Sequence, residues 1–79
     1  VCAQVEGPLT SHYVWEGHPE TAREWRVVFK LLPGQRAALE TWVHAHHSYQ
    51  TPQWLVIEAA HVGEKYLSWA MAAATSVNL

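Results

Sequence analysis

Hydrophobic and polar positions alternate in twos over the first 32 residues and then change to steps of three and four. Val1, Ala3 and Val5 lie opposite Cys2 and Gln4, which predicts a strand over 1–6 that Gly7, Pro8 and Leu9 break. The stretch 10–32 resumes the alternation, with Ser11, Tyr13 and Trp15 against Thr10, His12, Val14 and Glu16. After a break at 18–21, Trp25, Val27, Phe29 and Leu31 oppose Arg26, Val28, Lys30 and Leu32. Aromatic and β-branched residues dominate both halves, and Gly17 and Pro19 mark the break, so 10–32 reads as two long strands joined by a turn. The Trp25 face is expected to be buried, and Val28 and Leu32 make the other face partly apolar around Lys30. A hairpin with demands on both sides needs a helix on one and another chain or layer on the other.

Beyond Pro33, the residues Ala38, Leu39, Trp42, Val43 and His46 recur at helical spacing. They predict an amphipathic helix of about three turns, with Pro33 near its start where a missing N–H costs nothing. Its polar side is Gln35, Glu40, Thr41, His44 and His47, and His46 falls with Val43 on the buried side. A loop follows at 48–52, where Pro52 holds Thr51 extended. Residues 53–59 read as a further strand, largely covered at Trp54 to Ile57. His61, Val62 and Gly63 turn the chain into a second helix over 64–74, built on Tyr66, Leu67, Trp69, Ala70 and Met71. The tail 72–79 fades into small residues, frayed or wrapped on a neighbour. The order predicts one α+β domain over 1–79, an antiparallel sheet with helices on one face.

Composition narrows the function classes. A chain of 79 residues buries a limited core whose stability is near break-even. Its single cysteine excludes an intrachain disulfide framework, so metal binding or oligomerisation are the available supplements. Five tryptophans and three tyrosines favour an oligomer, since aromatics concentrate in interface cores. Seven glutamates against five basic residues give a net charge of -2 with no basic patch, which argues against nucleic acid. The longest apolar run falls short of a membrane span. An unpaired cysteine without a signal-peptide pattern suits the cytoplasm. The chain opens in mid-strand without an initiator methionine, so its first residue is not expected to be the natural N-terminus.

Candidate chemistry is sparse. His44, His46 and His47 either form a weak divalent-metal site or end a helix at its negative pole. Cys2 is either a soft-metal donor or a small buried hydrophobe. The glutamates are scattered and there is no aspartate to pair with them; Ser11 and His12 project to opposite faces, and the glycines are isolated. No catalytic residue is assigned, and an enzyme is not expected. Lys30, amid apolar neighbours, either binds an anion or partner carboxylate or simply faces solvent. Tyr49 with His47 and Gln50 forms a polar-aromatic rim, and Trp15 supplies an aromatic wall.

Taken together, these residues resemble the CutA family of divalent-cation-tolerance proteins over nearly the whole chain. Cys2 and Ala3 stand where that family carries Ala-Cys-Val-Asn. Pro8, Ser11, Tyr13, Trp15 and Gly17 match its Pro and Ser-x-Tyr-x-Trp-x-Gly pattern. His47, Ser48, Tyr49, Gln50 and Pro52 match His-Pro-Tyr-Glu-x-Pro, and Gly63, Tyr66, Leu67 and Trp69 match its closing Gly-x-x-x-Tyr-Leu-x-Trp. The resemblance implies a ferredoxin-like fold, here lacking its first strand and helix, a homotrimer, and association with copper or another divalent ion. It implies a cleft lined by Tyr13, Trp15, Lys30, Tyr49, Gln50 and Trp69, with Cys2 and His47 as metal contacts. Three departures stand out: Leu31 follows Lys30 where the family has threonine, Ser48 replaces proline, and Gln50 replaces a glutamate. An amide neither carries charge nor chelates well. The expected function is non-enzymatic metal response. The alternative is a trimeric sensor that takes a small anionic ligand through Lys30, resembling the nitrogen-regulatory signalling trimers.

Overall fold

A computed structural model describes residues 1–76. Strand β1 (Cys2–Trp15) and strand β2 (His18–Lys30) form a two-stranded antiparallel sheet; a 3-10 turn (Pro33–Gln35), helix α1 (Arg36–His46) and helix α2 (Glu64–Ser76) follow. The arrangement is α+β, of the kind a ferredoxin-like fold uses.

The two segments expected to be separate, 1–6 and 10–15, are a single strand. Between Glu6, which pairs with Arg26, and Leu9, which pairs with Glu24, β1 carries one residue more than β2. This is a bulge, and it lets the ladder continue past a Gly-Pro pair that would otherwise end it. Gly7 adopts φ 151 and the Gly7–Pro8 peptide is cis. The ring of Trp25 lies so close that a Cβ on Gly7 would sit 2.7 Å from it.

The turn is also displaced from the break expected at 18–21. Trp15 pairs directly with His18, so the loop is Glu16 and Gly17 alone, at φ 50 and φ 81. Two successive left-handed residues match the right-handed twist of the flanking strands. His18 to Thr21 thereby belong to β2, with Pro19 at its solvent-facing start.

Pairing assigns the two faces. Trp15, Tyr13, Ser11 and Leu9 share a side with His18, Glu20, Ala22 and Glu24, and across the bulge Gln4 and Cys2 join Val28 and Lys30. Two residues that follow the hairpin meet this side: Tyr49 reaches Glu24, and the Tyr66 ring lies beneath Lys30. The opposite side, expected to be buried, is bare. Val5 is 65%, Trp25 64% and Val27 48% exposed. The later chain settles on the mixed polar-aromatic face, and the more apolar face is left to whatever else covers it.

Residues 53–59 do not form the expected strand. A strand exists only through a paired neighbour, and among the described residues none lies beside this segment. Leu55, Val56 and Ile57 stand in solvent, Ile57 at 86%. Trp54 is half-buried, edge-on to His44 at 5.9 Å between ring centroids. Its indole Nε1–H is buried without an acceptor among the described residues.

Both helices lie within a residue or two of their expected bounds. Helix α1 is preceded by reciprocal bonds between Leu32 and Gln35, and Arg36 pairs with Glu40 one turn on at 2.6 Å. It stops at His47, whose backbone turns extended while its N–H still reaches the Val43 carbonyl at 2.8 Å. His46 is not on a buried side; it is exposed and stacks on Trp42 at 4.2 Å. Among the described residues, only Ala70 is buried, at 6% exposure. The expected tail at 72–79 lies in part beyond the described residues; up to Ser76 it is helical.

The turn geometry makes a prediction. Gly17→Ala places a Cβ in the left-handed region and destabilises the hairpin by about 1 kcal/mol. Glu16→Asn, which suits that region, stabilises it by a few tenths of a kcal/mol, roughly. Thermal unfolding of the full chain checks both; equal midpoints for the two variants would contradict this turn.

Candidate functional site

The hairpin tip and the 49–53 loop enclose a cleft of about 720 Å³. From β1 come Ser11, His12, Tyr13 and Trp15; from β2 comes Glu24. Tyr49, Gln50, Thr51 and Gln53 close it from the loop. The loop is held there by one long-range tether, the Tyr49 hydroxyl donating to Glu24 Oε2 at 2.9 Å. Ser11 Oγ–H and the Tyr49 hydroxyl both support the Glu24 carboxylate, and His47 nearby adds to the effect. Together they hold it below its ordinary 4.5. The same bond pushes the Tyr49 phenol above its ordinary 10.0, because its proton is shared with an anion. Both shifts favour an ionised carboxylate bonded to a neutral phenol, so the contact is lost as pH falls through a Glu24 value below 4.5 or rises through a Tyr49 value above 10.0.

His47 begins the loop. The Tyr49 amide donates to its Nδ1 at 2.9 Å, and the two rings meet edge to face at 4.8 Å. With Nδ1 accepting, the neutral ring carries its hydrogen on Nε2, so neither nitrogen offers a lone pair unless that bond breaks. His44 and His46 differ. Each places Nδ1 against the carbonyl four residues back, Glu40 at 2.8 Å and Trp42 at 2.7 Å. A ring nitrogen donating there leaves the Nε2 lone pair free, the tautomer metal-bound imidazoles usually adopt. The two are two residues apart on one helix and project to different sides.

The residues expected to share one cleft fall into two groups. Tyr13, Trp15, Tyr49 and Gln50 line it together. Lys30 and Trp69 do not: Lys30 Nζ stands 5.9 Å above the Tyr66 ring, and Tyr66 in turn packs on Trp69 at 5.7 Å. Six residues of strand separate Lys30 from Glu24, about 20 Å. Cys2, half-buried, pairs across the ladder with Lys30 and so belongs to that second group, away from His47. Among the described residues, no three His, Cys or Glu side chains converge enough to hold a metal ion.

Glu24 is the residue the sequence reading missed. It looked like one more scattered glutamate, because its facing toward Tyr49 depends on the bulge register. Its even-numbered phase with Lys30 on β2 was the available signal.

Comparison with known proteins adds the family context. Residues 1–73 match the family model described as CutA1 divalent ion tolerance protein. The chain is 38% identical over 68 residues to the divalent-cation tolerance protein CutA of Escherichia coli (strain K12 / DH10B). The same identity holds for that of Escherichia coli O157:H7 (strain EC4115 / EHEC) and that of Shigella boydii serotype 18. The match takes in 86% of this chain and 61% of each relative.

The tether is testable by carboxylate NMR. In the wild-type chain Glu24 titrates below its ordinary value, and Tyr49→Phe, which deletes one donor, moves it upward. An unchanged Glu24 titration in Tyr49→Phe would show that the phenol does not hold it.

Proposed function

The chain belongs to the CutA1 divalent ion tolerance family, and from that premise we propose that it serves the cellular response to divalent metals. In this reading it is a non-enzymatic cytoplasmic homotrimer that binds ions such as copper weakly near the seams between subunits. The chain spans 61% of the length of the curated relatives it matches, and the reading concerns the whole protein. Among the described residues, no helix is long and apolar enough to cross a membrane.

The observation that supports assembly is the area left uncovered. A closed monomer of 8.9 kDa exposes about 4,800 Å², whereas this chain exposes 6978 Å². Its Cα radius of gyration is 15.7 Å, against about 12 Å for a compact chain of this length. The excess of roughly 2,000 Å² is surface for neighbouring subunits, or further parts of the protein, to cover. The absence of a three-donor cluster among the described residues supports weak rather than tight metal binding. An ion seeking four ligands would collect single imidazoles or the Cys2 sulfur from more than one chain, and at His47 it would displace the Tyr49 amide.

The anionic-ligand sensor draws less support. Lys30 lies outside the cleft, and the cleft's one carboxylate repels an anion.

Native mass spectrometry and a copper titration followed by tryptophan fluorescence test this reading. A trimer mass and saturable quenching that weakens in His47→Ala and Cys2→Ser are expected. A monomer at all concentrations removes the assembly, and quenching indifferent to both substitutions removes these residues as contacts.

A further inference from the structure

Tyr49 is held at both of its ends. Its amide donates to His47 Nδ1 at 2.9 Å, and the two rings meet at 4.8 Å between centroids, inclined by 60°. Its hydroxyl donates to Glu24 Oε2 at 2.9 Å, 25 residues back along the chain. One side chain thus joins an imidazole lone pair at the end of α1 to a carboxylate on β2.

A neutral imidazole has one hydrogen for two nitrogens. With Nδ1 accepting from Tyr49, that hydrogen sits on Nε2. A metal ion at Nδ1 takes the lone pair that the amide uses. An ion at Nε2 sends the hydrogen to Nδ1, where it meets the Tyr49 N–H donor to donor across 2.9 Å. Either route ends the bond. His44 and His46 have no such conflict. Nδ1 of each lies against a main-chain carbonyl, at 2.8 and 2.7 Å, and a bond donated there survives an ion at Nε2.

We infer that metal capture by His47 opposes the Tyr49–Glu24 tether, so that an ion at His47 loosens the loop at 49–51 from the hairpin. The inference rests on the metal reading above and adds its regulation. Losing the amide bond frees the backbone that aims the phenol at Glu24, and turning the imidazole also removes the edge contact between the rings. Coupling of this kind is reciprocal. An intact tether weakens the ion, and a severed tether tightens it. Tyr49 therefore sets the metal affinity without supplying a ligand. Occupancy of His47 is reported at the cleft that Tyr49, Gln50 and Thr51 border.

Glu24 also attracts a cation through its charge, so replacing it would change two things at once. Tyr49→Phe keeps that charge, the amide and the ring, and severs only the tether. The experiment titrates zinc chloride, a diamagnetic probe, into the ¹⁵N-labelled full chain at a pH where the histidines are neutral, with magnesium chloride as ionic-strength control. Before zinc, ring nitrogen shifts are expected to show Nδ1 bare at His47 and protonated at His44 and His46. With zinc, the His47 nitrogens shift and the Tyr49 amide exchanges faster with solvent. Tyr49→Phe is expected to bind zinc roughly fivefold tighter, about the worth of one hydrogen bond, and His47→Ala to lose the response. Unchanged Tyr49 amide exchange while His47 takes zinc overturns the inference and leaves the metal reading standing. Equal or weaker zinc binding by Tyr49→Phe does the same. If that variant unfolds, the exchange measurement on the wild-type chain decides alone. Zinc that leaves the His47 nitrogens unmoved removes His47 as a contact, and the inference falls with it.

Discussion

The antiparallel pairing of β1 with β2, in the register set by one extra residue at Gly7 and Pro8, governs everything else in this structure. Side chains alternate along a strand, so a register one residue out would send half of them to the other side of the sheet. The bulge keeps Cys2 and Gln4 on the face that carries Leu9, Ser11, Tyr13 and Trp15 farther along. It also brings Glu24 onto that face, within reach of Tyr49. Glycine is needed at position 7 for two separate reasons, its φ of 151 and the Trp25 ring pressed against it.

How much of this was legible in the sequence depended on how local the cause was. Helices α1 and α2 follow from spacing alone and from Pro33, and both are present. The ribbon was legible as strand, but its turn was not. Glu16 is a poor marker for a left-handed residue, and Pro19 suggested a break that the ladder absorbs at its start. The apolar run at Trp54 to Ile57 was correctly recognised as apolar; a strand needs a partner, which no pattern within the run can supply. The grouping of Tyr13, Trp15, Tyr49 and Gln50 came from motifs that happen to meet in space. Lys30 and Trp69 came from the same motifs, yet strand rise places them at the other end of the ribbon.

The two ends of the ribbon carry different chemistry on one face. At the tip, Glu24 sits among aromatic rings and amides. At the base, Lys30 sits over Tyr66, with Cys2 as its cross-strand neighbour. The separation keeps opposite charges from neutralising each other. Cross-strand pairs such as Glu6 with Arg26, at 4.0 Å and well exposed, lie between them and contribute little energy.

The bare side chains of Leu55, Val56 and Ile57 have a thermodynamic consequence. Any body that covers them binds the folded chain and not the unfolded one, so the melting midpoint becomes a function of how much of that body is present. At a hundredfold excess over its dissociation constant, the contribution is about 2.7 kcal/mol. A whole domain commands only about 5–15 kcal/mol. If that body is a separate chain, dilution loosens the fold without a single bond within this chain being altered.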